Sequence, residues 1–162
     1  MEVMVFELLD DLHPDLNPLM WLVGNWHGNG RFADDKPFEQ DIVFHHDGRE
    51  FLHYASQSWL TNDSGERTGP GEIETGFLFI RPSGGIELLI STHEGFGQAL
   101  DGEMNGPRLT LATKWQARPE TSAEYTEQRM YGLVESDLMY AIDRKFEQSA
   151  MQSYSWGQLK RV

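Results

Sequence analysis

The chain has 162 residues, of which 26 are acidic and 13 are Lys or Arg, and its formal net charge is −13 at pH 7. That charge argues against nucleic acid and anionic membrane surfaces as partners, because both require clustered basic residues. The absence of cysteine excludes a disulfide framework and thiolate catalysis. Because the N-terminus also lacks the features of a signal peptide and no segment is long enough to span a membrane, we expect a cytoplasmic protein.

The first predicted elements are an N-terminal arm over residues 1–14 and a short helix. The arm alternates apolar and acidic residues too briefly to favour one structure. His13-Pro14-Asp15 is a turn signal, after which Asp15 can cap a helix that runs to about Val23. Pro18 is tolerated because it falls in the first turn. This helix would close one end of the fold that follows.

The rest of the chain is predicted to be strand and turn, because β-branched and aromatic residues recur in short runs broken by Gly, Pro, Asn and Asp. Three dipeptides suit tight hairpin turns with positive φ, namely Asp47-Gly48, Gly84-Gly85 and Asn105-Gly106. The polar residues 61–71 predict a surface loop. We expect about ten antiparallel strands, near residues 24–33, 38–46, 49–59, 73–81, 86–91, 96–102, 108–117, 122–133, 137–143 and 151–161.

Ten antiparallel strands in one domain over residues 15–162 expose costly edges unless the sheet closes on itself. The predicted fold is therefore all-β, a ten-stranded antiparallel up-and-down β-barrel with the short helix capping one end. A closed barrel of this width predicts an internal cavity. A sandwich or a filled barrel is the alternative that the pattern leaves open. Alternation along residues 108–115 predicts that one apolar face, which includes Trp115, looks inward.

The most specific motif is Gly24-Asn25-Trp26-His27-Gly28-Asn29-Gly30. Its glycines permit sharp bends and close backbone approach, and a tryptophan between them can lie across a barrel end as an apolar plug. Four other segments accompany this run, namely residues 16–23, residues 47–54, Glu74-Thr75-Gly76-Phe77 and the last two strands. Together these segments resemble the nitrobindin family, haem-binding β-barrels that look like fatty-acid-binding proteins and belong with the calycin and lipocalin-like folds.

The resemblance implies a haem pocket and identifies the residue at the position of the iron ligand. In the family, a histidine in the final strand binds iron, and matching Leu159-Lys160-Arg161 to that strand puts Tyr154 in its place without a gap. All six histidines precede the last third of the chain, so the histidine-ligated haem site is expected to be lost or altered. The resemblance also implies that Trp26 packs against Lys160 or Arg161 in a cation–π contact.

Tyrosine can ligate ferric haem as a phenolate, which makes Tyr154 a candidate for a bond to haem iron. Its reference pKa of about 10 means that the metal or a neighbouring cation must favour deprotonation. The alternative is an inward-facing tyrosine whose hydroxyl group is satisfied by a polar neighbour.

Other side chains are candidates for lining the cavity. His53 and His93 could do so, with a satisfied strand histidine as the alternative in each case. Glu72 is a further candidate for lining the cavity. Because nothing in the sequence pairs two carboxylates with each other, the alternative is that the acidic residues near strands are surface charge: Glu72, Glu74 and Glu87. His45-His46-Asp47 is interpreted as a solvated hairpin end, because adjacent strand residues point to opposite faces and cannot easily share one metal ion.

Three functions remain open at this stage. The leading one is a nitrobindin-like barrel that binds a small apolar or planar molecule, and a role as an enzyme is not favoured because the common phosphate, zinc and nucleophile motifs do not occur. The second is a ferric haem protein that holds haem through Tyr154 or binds it weakly through another group, and that acts on nitric oxide or peroxynitrite. The third is a ligand-free barrel whose interior is filled by aromatic side chains.

Overall fold

The computed structural model describes residues 11–162, so nearly all of the predicted arm of residues 1–14 lies outside the described residues. A helix is present where the sequence predicts one, at Pro14–Leu22, but it is a 3₁₀ helix. Pro18 has no N–H to donate, which disfavours the α-helical pattern. The N-terminal cap is His13 rather than the predicted Asp15, because Nδ1 of His13 accepts from the backbone N–H of Asp15 at 3.2 Å.

Ten strands follow and form a closed barrel, which confirms the predicted fold class. Each strand pairs antiparallel with its neighbours in sequence, and the first strand closes the barrel by pairing with the last. Among the described residues, no helix is long and apolar enough to cross a membrane. The strands are β1 (Gly24–Phe32), β2 (Pro37–His45), β3 (Leu52–Thr61), β4 (Arg67–Ile80), β5 (Ile86–Thr92), β6 (Gly97–Met104), β7 (Arg108–Ala117), β8 (Tyr125–Val134), β9 (Asp137–Phe146) and β10 (Gln152–Arg161).

The hairpin turns have the backbone that their glycines predict, with φ values of +91° at Gly48, +88° at Gly84 and +59° at Gly106. The prediction of a loop over residues 61–71 is wrong in part, because β3 and β4 continue to pair as far as Thr61 and Arg67. The register shifts between Gln57 and Trp59, and this irregularity accommodates Pro70 and the glycines on either side of it within a strand.

The helix closes one end of the barrel through the motif at the start of β1. Nε1 of Trp26 donates to the carbonyl oxygen of Leu22 at 2.8 Å, and the guanidinium carbon of Arg161 lies 4.2 Å from the centroid of the Trp26 ring. Of the two basic residues expected there, Arg161 is the one in contact. A Cβ at Gly28 would lie 2.1 Å from the carbonyl oxygen of Gln158 in β10. The motif therefore supplies an apolar plug and a close approach of two strands.

The interior is apolar near the helix and polar toward the opposite end. Large buried side chains, among them Trp26, Phe44, Leu52 and Leu78, occupy the strand ends next to the helix. The buried polar residues lie farther along the strands: Gln40, Ser56, Ser58, Gln98, Glu127, Arg129 and Ser155. We call the polar end the mouth, and define it by Phe32, Glu72, Tyr125, Arg144 and Tyr154.

Candidate functional site

Tyr154 lies in the mouth at an irregularity of β10. The pairing of β10 with β9 shifts register between Ser153 and Ser155, so Tyr154 is the extra residue of a bulge. Its half-buried ring packs against the core and edge-on to Phe32, with 5.7 Å between ring centroids. Its hydroxyl group donates a hydrogen bond to Oε1 of Glu72 in β4. Two of the candidate residues are thus in direct contact.

Arg144 in β9 covers the ring of Tyr154. Its guanidinium carbon lies 3.6 Å from the centroid of the Tyr154 ring and 4.1 Å from that of Tyr125. Nε of Arg144 donates to Oε1 of Glu127 at 2.7 Å. Within residues 11–162, the structure gives its two Nη nitrogens no hydrogen-bond partner. The side chain is therefore fixed by two rings and one carboxylate, while part of its donor capacity stays free.

A second arginine continues the network into the barrel. The side chain of Arg129 is only 1% exposed, and its Nε donates to Oε2 of Glu127 at 2.8 Å. Its two Nη nitrogens contact the two carboxylate oxygens of Glu74 at 2.5 and 3.1 Å. Glu127, which is fully buried, also accepts from Gln98 at 2.9 Å, and Tyr54 donates to Glu74 at 2.6 Å. The interpretation of Glu74 as surface charge is therefore wrong.

The charges of this network balance, except for Glu72. Burial acts to raise the pKa of the Glu74 carboxyl, but the charge and hydrogen bonds of Arg129 hold it below the ordinary value. For Glu72 the balance is reversed, because burial raises the pKa and the hydrogen bond from Tyr154 offsets only part of that effect. Two arginines thus face Glu74 and Glu127, and Glu72 is a third carboxyl group beside them.

The polar network leaves little space inside the barrel. The cavity that Glu72, Arg129, Arg144 and their neighbours line has a volume of about 20 Å³. Such a space holds roughly one water molecule, whereas pockets for small organic ligands are on the order of 300–1,000 Å³. The predicted open cavity is therefore absent at the level of this network. A groove of about 780 Å³ lies on the outer wall of β5 to β9, where Arg129 is among the lining residues, but none of the sequence-predicted site residues lines it.

The protonation of Tyr154 also bears on haem, which the family resemblance implies. Burial raises the pKa of the Tyr154 hydroxyl well above its ordinary value, and the charge of Arg144 only partly opposes this effect. The phenolate that could bind ferric iron is consequently disfavoured, and the hydroxyl proton is held by Glu72. The residues present in the mouth do not fit a haem bound through Tyr154.

Within the described residues 11–162, neither His53 nor His93 takes the place of Tyr154 inside the barrel. His53 is exposed on the outer face of β3, where Nε2 hydrogen-bonds to Oγ1 of Thr75 at 3.1 Å. His93 lies in the turn after β5, and its Nδ1 accepts from the backbone N–H of Ile73 at 3.2 Å. The prediction that these two histidines line the cavity is therefore wrong. His53 and His93 each have an ordinary hydrogen-bond partner, as the alternative interpretation expects.

The expectation that Trp115 faces inward is wrong because β7 contains a bulge. Leu100 pairs with Thr113 and Ala99 with Trp115, which leaves Lys114 as the extra residue. A bulge shifts the alternation of side chains by one, so the residue after it changes face. Trp115 consequently points outward and is 61% exposed.

Sequence analysis missed the charged residues of β8, although a signal was available. Glu127 and Arg129 alternate with Thr126, Gln128 and Met130, and they share a strand face with two tyrosines. Residues at i, i+2 and i+4 of a strand lie on one face, so opposite charges between aromatic residues could indicate a buried ion pair.

A closed up-and-down barrel that is stoppered by a short helix and has polar groups at its open end defines a calycin-like barrel protein. The sequence pattern of the THAP4-like, heme-binding beta-barrel domain matches residues 15–161, and the chain belongs to this family of nitrobindin-like proteins.

Named relatives share nearly their whole length with the chain. A protein of Nocardioides sp. named peroxynitrite isomerase is 41% identical over 163 residues, which are 98% of this chain and 99% of that protein. A ferric nitrobindin-like protein of Kineococcus radiotolerans is 36% identical, with the same two coverages. Among solved structures, Rv2717c of M. tuberculosis has a TM-score of 0.78 and 26% identity, over 93% of this chain and 99% of that one.

Proposed function

We propose that this chain is a nitrobindin-like barrel that has lost the histidine-ligated haem site of its family and binds a small planar molecule at its mouth. The observation that carries the proposal is the contact of Tyr154 with Glu72 and Arg144 at the position where the family resemblance implies the iron ligand. Because the space below this contact is only about 20 Å³, the ligand would be smaller than haem and would stay in the mouth.

The mouth offers the groups that orient a planar ligand. Arg144 has free Nη donors, and Oε2 of Glu72 has no hydrogen-bond partner among the described residues. Phe32 and Tyr154 add two aromatic rings to the mouth, with 5.7 Å between their centroids. A donor, an acceptor and aromatic walls at fixed positions are typical of small-molecule sites. An entirely apolar ligand is not favoured, because it would leave these polar groups unpaired.

A second candidate function is that of a ferric haem protein that acts on peroxynitrite. It is favoured by one observation, the 41% identity to the Nocardioides protein that is named peroxynitrite isomerase. It requires a bond to iron that Tyr154 is poorly placed to provide, because burial raises the pKa of its hydroxyl group and that group donates to Glu72.

Titration with hemin separates these two functions. The purified protein is mixed with hemin, and the Soret band is compared with that of free hemin and with that of the Tyr154→Phe variant. We expect no protein-bound Soret band in either protein. A ferric Soret band that is present in the wild type and absent from Tyr154→Phe would contradict the loss of haem and favour the second candidate.

Three probes of the same shape test the small ligand: benzoate, benzamide and benzamidine, which carry a negative, a neutral and a positive group on one ring. We expect at least one of them to shift the backbone amide signals of β4, β9 and β10 near Glu72, Arg144 and Tyr154 in NMR titrations. The shifts should weaken in Arg144→Gln or Tyr154→Phe. If none of the three probes perturbs these signals, the ligand-free barrel is the better description.

A further inference from the structure

We infer that Arg144, and not only the tyrosine at position 154, excludes haem from this barrel. The inference rests on the proposed function and names the side chain that enforces it. It follows from the position, the anchoring and the charge of the guanidinium group.

The position of Arg144 follows from the pairing of the last two strands. Gln152 pairs with Arg144, and the bulge in β10 places Tyr154 two residues farther along. The guanidinium carbon lies 3.6 Å from the centroid of the Tyr154 ring, which is van der Waals contact. A histidine introduced at position 154 would therefore have this guanidinium against its ring.

The anchoring of Arg144 prevents it from acting as a movable gate. Its guanidinium carbon also lies 4.1 Å from the centroid of the Tyr125 ring, and its Nε donates to Glu127. The carboxylate of Glu127 is fully buried, so outward rotation of Arg144 would remove one of its charged partners. Leaving a buried charge with fewer partners is unfavourable. We therefore expect Arg144 to keep this position when the residue at position 154 changes.

The charge of Arg144 opposes haem binding, as its volume does. Ferric iron bound to residue 154 would place a second cationic centre beside the guanidinium of a side chain that is only 12% exposed. Repulsion between like charges is strong in such surroundings. Substitution of Tyr154 by histidine would restore the ligand type of the family without removing the guanidinium.

The test compares hemin binding by the wild type, Tyr154→His, Tyr154→His with Arg144→Ala, and Tyr154→His with Arg31→Ala. Arg31 is the matched control, because it is a half-exposed arginine of β1 that pairs with Asp35 on the surface, and its loss changes the net charge equally. The readouts are the Soret spectrum and the dissociation constant for hemin. Urea unfolding of each variant without hemin establishes that it is folded.

We expect no protein-bound haem in the wild type and little in Tyr154→His. Removal of Arg144 from the Tyr154→His protein should lower the dissociation constant at least tenfold and give the spectrum of an imidazole-ligated haem, whereas removal of Arg31 should not. Equal hemin affinity of Tyr154→His with and without Arg144 would overturn the inference, whether both bind well or both bind poorly. Hemin binding by the wild type would instead overturn the proposed function.

If Arg144→Ala does not fold, Arg144→Gln takes its place. Glutamine can still donate a hydrogen bond to Glu127 but carries no charge. The same tenfold gain in affinity over Tyr154→His is expected, and its absence would overturn the inference in the same way.

Discussion

The hydroxyl group of Tyr154 donates a hydrogen bond to Oε1 of Glu72, and this contact joins β10 to β4 across the mouth although 82 positions separate the two residues. The sequence suggests the two residues on unrelated grounds, one from the family resemblance and one from a strand position. Their contact turns them into one site. It also satisfies the only O–H donor of the tyrosine, which is the arrangement expected of a buried phenol that is not a metal ligand.

The pH dependence of stability should report the carboxyl group of Glu72. Because burial raises its pKa, the folded protein binds this proton more tightly than the unfolded chain does. The resulting stabilisation is fully present below the ordinary pKa of 4.5 and is lost as the pH rises through the folded pKa. We expect the free energy of unfolding of the wild type, relative to Glu72→Gln, to fall from acid to neutral pH in urea titrations. A difference that does not change with pH would contradict this.

The buried arginine should be essential for stability. Arg129→Met leaves Glu74 and Glu127 with fewer counter-charges in the interior, and breaking a buried ion pair in this way costs about 3–5 kcal/mol. The control is Arg67→Met, which removes an arginine that is 48% exposed and pairs with Glu39 on the surface. It should cost at most about 1 kcal/mol. Equal urea midpoints for the two variants would show that the interior network contributes no more than a surface pair.

The stability of the closed end should depend on the shape of the Arg161 side chain as well as on its charge. Its Nη2 donates to the carbonyl oxygen of Trp21 at 3.0 Å, its Nη1 donates to that of Val23, and its plane lies on Trp26. Lysine cannot make these contacts together, so Arg161→Lys should lower the free energy of unfolding by about 1.5–3 kcal/mol. The neighbouring change Lys160→Arg should stay within about 0.5 kcal/mol. Thermal and urea unfolding followed by tryptophan fluorescence measure both.

Substitution by alanine should lower the free energy of unfolding at one strand glycine and leave it nearly unchanged at another. A Cβ at Gly28 would lie 2.1 Å from the carbonyl oxygen of Gln158, so the backbone of β1 or β10 must shift. Overpacking of this kind costs about 1–3 kcal/mol. At Gly69 in β4 a Cβ meets nothing within 4 Å, and Gly69→Ala should stay within about 0.5 kcal/mol. Similar losses in the two variants would mean that close strand approach is not the reason for glycine in the motif.

The barrel could be predicted because its causes are local. The turn glycines have the positive φ angles that their dipeptides indicate, and every predicted strand corresponds to an observed one. A sheet of ten antiparallel strands then closes on itself, since open sheet edges are costly. The contact of Trp26 with a basic residue of the last strand was likewise predicted, and the structure selects Arg161.

The contents of the barrel could not be predicted in the same way. Lys114 and Tyr154 are the extra residues of two β-bulges, and each bulge changes which side chains face inward. The alternation of apolar and polar residues in the sequence does not reveal where these bulges lie. A charged residue on a strand is ordinarily exposed, and it becomes an interior residue only when distant strands bring it a partner.

The sequence by itself therefore determined the closed barrel and its helical stopper, because turn chemistry, alternation and motif spacing act between near neighbours along the chain. The tyrosine in place of the family's histidine stays a prediction. Only the tertiary structure decided that the interior near the mouth is filled. Glu74 meets Arg129 across 55 positions of sequence and Tyr154 meets Glu72 across 82, and such contacts exist only once the sheet has closed. Their volume, rather than the barrel itself, leaves a cavity of only about 20 Å³ at this level of the interior.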